Sequence, residues 1–300
     1  MFDVPILVIA YHRVTEAHNL FAVLQKLQPS KLYVAFDAAI PQDRHDYRMC
    51  LKTRCVFMPE WEVNMETLLS KEHLGKSRMF QQAMNWFFEN EEEGIILCDD
   101  SLPHPDFFPF CQELLNKYRD NKQIVHIGGT NFLKHEQKPS NSYFFSAYPM
   151  LWGFATWKDR WEGFDLKMRE LQDLNIDDFI NQYDFKQRVR NFWNRRYRIV
   201  QKDQIDIWEY QYIFHLWKLG GLCIIPNVNL VENSSFRNNK RKKIKKLHKD
   251  TQSILPLDST TPAFVQDRKM DKFIFRRYYK RDFLTLLFQW FHQNVLGNEQ

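Results

Sequence analysis

The sequence predicts an α/β fold: a mixed, mainly parallel sheet flanked by helices, with a helical, basic C-terminal extension. Three observations carry this. Pro5-Ile6-Leu7-Val8-Ile9-Ala10 and Ile95-Ile96-Leu97-Cys98 are continuous apolar runs of strand length, the pattern of strands buried on both faces. Between the first run and a second strand, Lys31 to Asp37, apolar side chains recur at helical spacing from Asn19 to Leu27, which makes a βαβ unit. The 95–98 run ends in Asp99-Asp100-Ser101-Leu102-Pro103, two adjacent acids closed by a proline. In open α/β sheets that strand edge is where ligands bind.

Composition sets the outer limits. A chain of 300 residues allows one large domain or two small ones. With 44% hydrophobic and 16% aromatic residues it sustains a sizeable core, which argues against disorder. The 26 Phe, 12 Tyr and 9 Trp exceed what a core needs, so some are expected to line a ligand cleft. The net charge of +5 lies largely beyond residue 236. Such a balance suits anionic substrates or an anionic membrane surface without requiring nucleic acid. Five cysteines with no CxxC pair argue against a disulfide framework or structural zinc and fit a reducing cytosol. The opening residues lack the pattern of a signal peptide, and no uncharged apolar run approaches the ~18 residues of a membrane span.

Taken in order, the first strand ends in Tyr11-His12-Arg13 and carries no GxGxxG, so a dinucleotide fold is not supported. Cys55-Val56-Phe57-Met58-Pro59 reads as a third strand, and Glu72 to Gly75 as a loop. Ser77 to Glu89 is helical, with Met79, Phe80, Ala83, Met84, Phe87 and Phe88 on its core face. After the 95–98 strand, Asp99 and Asp100 are hard oxygen ligands suited to Mg²⁺ or Mn²⁺ carrying a phosphorylated substrate. The same residues also start turns and cap helices. Pro105 to Tyr118 is the next helix, and Gln123 to Asn131 a strand ending in Gly128 and Gly129. Those glycines permit either close backbone approach to a ligand or a tight turn.

Tyr143 to Trp161 is the most aromatic stretch; around Trp152-Gly153-Phe154 its rings either wall a sugar or base site or pack as core. Phe164 to Arg198 reads as helical, with Arg188, Arg190, Arg195, Arg196 and Arg198 facing phosphate or solvent. Asp203 to Lys218 opens with helix-start chemistry. Asp206 and Glu209 share a face there, as a general base or as charge stabilised by the helix dipole. Gly220 to Pro226 is a turn and a last strand. The basic run 237–249 is expected to be solvated and mobile, able to order over a nucleotide diphosphate or touch acidic lipid. Asp271 to Val295 alternates basic and apolar groups as an amphipathic helix, docked on the body or on a membrane. The expected division is 1–236 for the main domain, 237–268 for the basic segment and 269–300 for the C-terminal helix.

In combination and in this order, these segments resemble the GT-A-fold glycosyltransferases. The likeness is nearest to bacterial nucleotide-diphospho-sugar transferases of the hemolytic-protein-like group, distantly similar to N-acetylglucosaminyltransferase I. It covers about residues 4–236 and rests on Pro5–Arg13, Trp86 through Pro103, Gly128-Gly129-Thr130-Asn131, Trp152 to Trp157, and Trp208-Glu209-Tyr210-Gln211 through Val231. The resemblance implies that Asp99-Asp100 is a DxD-type motif, with Asp100 holding a divalent metal, Mn²⁺ or Mg²⁺, and Asp99 touching the donor. It implies that Ala10, Tyr11, His12, Arg13 and Asp37 hold the nucleotide, with Gly129, Trp152 and Gly153 on the substrate side. Glu209 stands where the family usually has Asp and is the implied base, with Asp206 competing; Cys98 replaces the acid usual before the pair.

The implied activity is metal-dependent, inverting transfer of a hexosyl or N-acetylhexosaminyl group from a nucleotide-sugar donor. The acceptor would be a saccharide or lipid-linked saccharide in surface polysaccharide or lipopolysaccharide assembly. The implied location is cytoplasmic, peripheral on the inner face of the membrane. Two other readings stand beside it: a catalytically inactive adaptor on the same fold, and nucleic-acid binding through 237–249, which lacks interleaved aromatics.

Overall fold

The computed structural model describes residues 2–133, 141–171, 173–203, 207–234, 250–254, 257 and 261–280; Asp206, the basic run 237–249 and residues 281–300 lie outside them. In chain order the elements are β1 (Ile6–Ala10), α1 (Val14–Leu27), β2 (Lys31–Phe36), α2 (Arg44–Arg54), β3 (Asn64–Leu69), α3 (Lys76–Asn90), β4 (Glu93–Cys98) and β5 (Ser101–Pro103). There follow α4 (Phe107–Tyr118), β6 (Ile124–Gly128), β7 (Tyr143–Ser146), β8 (Phe154–Trp157), α5 (Lys158–Trp161), α6 (Ile176–Ile180), α7 (Gln187–Asp203), α8 (Trp208–Lys218), β9 (Leu222–Pro226), β10 (Val231–Asn233) and α9 (Arg268–Ile274).

Eight strands form one sheet in the order β3-β2-β1-β4-β8-β6-β9-β7. The first four are mutually parallel. β8 runs antiparallel between β4 and β6, β9 is parallel to β6, and β7 is antiparallel to β9. The expected mixed, mainly parallel sheet flanked by helices is therefore present, and the carboxyl ends of β1, β2 and β4 share one edge. Alternate side chains of β1 point to opposite faces. Ile6, Val8 and Ala10 pack with Leu20 and Leu24 of α1 and with Phe107 and Leu114 of α4. Leu7 packs with Met79, Phe80 and Phe87 of α3, the face expected to be core. A third cluster joins α6, α7, α8 and α9 through Trp193, Tyr197, Phe214 and Ile274. Burying each such large apolar side chain contributes about 1.5–3 kcal/mol.

Several expected elements differ. Cys55–Pro59 is not a strand: Cys55 caps the C-terminus of α2, and Val56 and Phe57 bury as loop anchors. The strand is Asn64–Leu69, a sheet-edge strand with no buried residue, so it lacks an apolar run to announce it. Phe164–Arg198 is not one helix. Met168 adopts φ +50°, a 3-10 turn spans Arg169–Leu171, and Asn175 caps α6 with a capping box. Asp203 ends α7, and the next helix starts at Trp208. Leu222–Pro226 is not the last strand, because β10 pairs antiparallel with β5 beyond it.

Of the expected C-terminal helix, the described part is α9, continued by a π-helical turn at Phe275–Tyr279. The aromatic stretch is mostly core: Tyr143, Phe144, Phe145, Tyr148, Phe154, Trp157 and Trp161 are all buried. Within the expected basic segment, Ile254 donates its N–H to Asp106 (3.0 Å) and Thr261 accepts from Lys117 (2.6 Å).

Candidate active site

The parallel pairing of β4 with β1 carries one residue beyond the strand end: Asp99 donates its N–H to Ile9 O (3.0 Å). The carboxylate of Asp99, 6% exposed, accepts the Tyr11 N–H at 3.0 Å. Asp100 pairs with the Arg13 guanidinium, which also stands 3.9 Å from Asp99. Its carbonyl accepts the N–H (2.9 Å) and the hydroxyl (3.0 Å) of Ser234 just past β10, which fixes the turn that presents both acids. Burial, then the like charge of Asp100, pushes the Asp99 carboxyl up to about 7, against the pull of Arg13 and the Tyr11 N–H. Burial alone would lower Arg13; the charges of Asp100 and Asp99 override it and hold the guanidinium above its ordinary range.

The β1 end is braced from α2. Asp46, buried at the first turn of α2, accepts from the Tyr11 hydroxyl (2.5 Å) and the Ile40 N–H (2.8 Å), and its other oxygen stands 2.6 Å from His12 Nδ1. Burial would raise this carboxyl, but the hydrogen bonds from Tyr11, Ile40 and His12 hold it below the usual carboxylate range. Burial and Asp46 together raise the Tyr11 phenol. The Tyr11 ring stacks on His12 at 4.1 Å.

At the end of β2, both oxygens of Asp37 are engaged by backbone. They accept from Ala38 (2.8 Å), Leu74 (2.9 Å) and Gly75 (2.9 Å), with His73 Nδ1 at 3.3 Å. Asp37 thereby holds the loop that starts α3. Gly75, at φ +77°, turns the chain into that helix in a conformation L side chains avoid.

Lys76, the first residue of α3, forms an ion pair with Glu209 in the first turn of α8. Partial desolvation would lower the ammonium, which is still 65% exposed; the Glu209 charge and hydrogen bond outweigh it and hold the ammonium above its ordinary range, helped by Cys98 and Asp100. The two helix starts are joined by a hydrogen bond from Trp208 N–H to Ser77 Oγ (3.0 Å) and by Trp208 stacked on Phe80 at 3.6 Å. Burial, then Asp100 and Asp99, pushes the Cys98 thiol up, so it is a neutral group beside the acids; Lys76 and Glu209 also act on it. Residues from β1, β4, α3 and α8 thus meet at one edge.

The remaining expected residues have these surroundings. A Cβ on Gly129 would lie 2.4 Å from Val231 and 2.6 Å from Phe107, so its close approach is to protein side chains. Gly129 donates its N–H to Gly153 O (2.8 Å), and Gly153 sits at φ +126° beside Val231 and Leu97. Trp152 is half-buried, edge-on to Phe132 at 4.9 Å and to Tyr278 at 6.1 Å. Asp206 is outside the described residues. Sequence reasoning missed Asp46 and Lys76. Lys76 directly follows a glycine at a helix start, a readable signal; Asp46 sits in the first turn of a polar helix capped by Asp43, where nothing local separates it from a solvated acid.

Among the described residues no cluster of three or more His, Cys, Asp or Glu forms a closed metal cage. Two carboxylates at a strand end still fit a divalent ion of the Mg²⁺ type, which keeps waters and takes further ligands from substrate phosphates. Asp100, with Asp99 beside it, would hold such an ion once Arg13 moves from Asp100.

No family model matches the chain, and no curated protein sequence does. Solved structures match at low identity. The mannosyltransferase PcManGT from Pyrobaculum calidifontis, in complex with GDP-Man and Mn²⁺, aligns at 12% identity and a TM-score of 0.35 over 55% of this chain and 48% of its own. The chain therefore spans about half the length of that protein. HddC from Yersinia pseudotuberculosis, complexed with GMP-PN, aligns at 11% identity and a TM-score of 0.30 over 53% of this chain and 78% of its own. At these levels the likeness carries no inference about chemistry.

Proposed function

We propose that the chain is a GT-A-type glycosyltransferase that moves a sugar from a nucleotide-diphosphate donor to a hydroxyl acceptor with inversion. One observation carries the reading. Paired acids at the end of β4 stand beside two cations, Arg13 and Lys76, with a third acid, Glu209, contributed by a separate helix. That is the charge pattern needed to hold a diphosphate and take up a proton.

Asp100 and Asp99 would hold a divalent ion, Mn²⁺ or Mg²⁺, which when bound would supply charge neutralisation for a leaving diphosphate. Arg13 leaves Asp100 for the donor phosphates, an exchange of one anionic partner for another. Tyr11 and His12, fixed by Asp46, orient the nucleoside end. Lys76 moves from Glu209 toward the same phosphates and releases the carboxylate. Glu209 accepts the proton of the acceptor hydroxyl as its oxygen bonds to the anomeric carbon and the bond from that carbon to the diphosphate oxygen breaks. A base opposite the leaving group gives inversion. The acceptor in this reading is a saccharide or a lipid-linked saccharide.

The test is turnover with a panel of nucleotide sugars and Mn²⁺, reading donor hydrolysis or transfer. Asp100→Ala and Glu209→Gln are each expected to lower kcat by about 100-fold or more, since general bases and charge-stabilising groups contribute on that order. Full activity in either variant removes that residue from the mechanism. A second reading, an inactive adaptor on the same fold, is favoured by the two ion pairs themselves. Arg13 on Asp100 and Lys76 on Glu209 leave both acids charge-compensated without any donor. Turnover by the wild-type chain eliminates it.

A further inference from the structure

The arginine cluster on α7 has no part in that site. The helix splits it. Arg196 is buried with its guanidinium 4.6 Å over the Phe192 ring, and Arg190 lies 3.7 Å from Asp177. Arg188, Arg195 and Arg198 are exposed, and so is Lys202. At about 100° per residue, Arg188, Asn191, Arg195, Arg198, Ile199 and Lys202 fall within an arc of roughly 100°. The stripe runs about 20 Å at 1.5 Å per residue. The opposite face buries Trp193, Tyr197 and Val200, so the cations ride on a fixed helix. Phe192, at the edge of the stripe, meets Phe275 edge-on at 5.1 Å. That contact brings in the segment continuing α9, where Lys272, Arg276 and Lys280 are exposed at four-residue spacing.

We infer that this face of α7, continued by the α9 segment, docks on an anionic lipid bilayer. Charge complementarity selects an anionic partner, and the composition of the stripe selects lipid. Ile199, 36% exposed among the cations, suits the boundary between headgroups and acyl chains and offers nothing to a phosphodiester. No aromatic ring lies in the arc to stack on a base. None of this depends on the donor chemistry.

The test is co-sedimentation of the full chain with phosphatidylcholine vesicles, with and without phosphatidylglycerol. The wild type is expected to bind only the anionic vesicles, and less as salt rises. Arg188→Gln/Arg195→Gln/Arg198→Gln/Lys202→Gln is expected to weaken binding by about tenfold or more, since each basic residue near the surface contributes separately. A charge-matched control, Lys26→Gln/Arg48→Gln/Lys52→Gln/Lys71→Gln, is expected to lose less than about twofold. Circular dichroism checks the fold of each variant; if the fourfold variant misfolds, Arg195→Glu and Lys202→Glu singly are expected to show the same loss. No wild-type binding, equal binding to neutral vesicles, unchanged binding of the stripe variants or an equal loss in the control overturns the inference. So does a stripe variant that keeps vesicle binding and loses duplex DNA binding.

Discussion

At the residue scale, Asp46 braces the β1 end. It gathers the Tyr11 hydroxyl, His12 and the Ile40 N–H on one buried carboxylate. Truncation would remove three hydrogen bonds to half-exposed partners and leave a gap at a buried position. Asp46→Ala is expected to destabilise by about 2–4 kcal/mol in urea unfolding, with a smaller loss for Asp46→Asn. The pH dependence has a definite sign. The folded carboxyl lies below its ordinary value, so its contribution is present above about pH 4 and fades as pH falls through the folded value. Loss of stability in Asp46→Ala that is equal at acid and neutral pH would contradict this. In the sequence, Asp99 and Asp100 were legible because they terminate an apolar run. Asp46 was not, because a buried acid on a polar helix looks like any solvated one until the partners from β1 are in place.

At the scale of elements, the C-terminal attachment rests on Asp271 of α9. Its carboxyl is 4% exposed and accepts from Ser146 Oγ (2.5 Å), Gln266 Nε2 (2.7 Å) and the Ala147 N–H (3.2 Å). Burial pushes it up to about 6 even though the hydrogen bonds from Ser146 and Gln266 pull it down. A carboxyl raised in the folded state binds a proton on folding, so stability falls as pH rises between about 4 and 6. Asp271→Asn is expected to remove that slope and to raise stability by about 1 kcal/mol at neutral pH. Urea midpoints across the range measure it; an unchanged slope would show that another group titrates there.

The same scale explains which elements the sequence disclosed. β1, β4 and α3 carry one dominant periodicity and were read directly. β3 and β10 were missed because one is an exposed edge strand and the other a three-residue pairing. Both are defined by a partner distant in sequence, which no local pattern reports. Phe164–Arg198 was over-read as one helix because its aromatic residues supply an apolar signal through turns that Met168 and Asn175 break.

For the whole molecule, the candidate site is where three packing units meet. β1 and β4 belong to the sheet core, Lys76 and Ser77 to α3, and Glu209 to a helix that also packs against α7. A donor and metal held across these units would bind the folded chain and not the unfolded one, so they must stabilise it globally. At a ligand concentration about 100 times Kd the gain is about 2.7 kcal/mol. A single transition in a chain larger than 150–250 residues moves by roughly 2–4 °C or less per kcal/mol. A thermal shift of about 4 °C is therefore expected with the correct nucleotide sugar and Mn²⁺, and a smaller one with either alone. Asp100, 13% exposed at its side chain, carries charge without filling core. Asp100→Ala should keep the ligand-free melting temperature within about 2 °C and lose most of the shift, because it removes one ion pair near the surface. A full shift retained in Asp100→Ala would move the metal to other residues. A shift with nucleotide alone that chelator leaves unchanged would assign the phosphates to Arg13 and Lys76 without it.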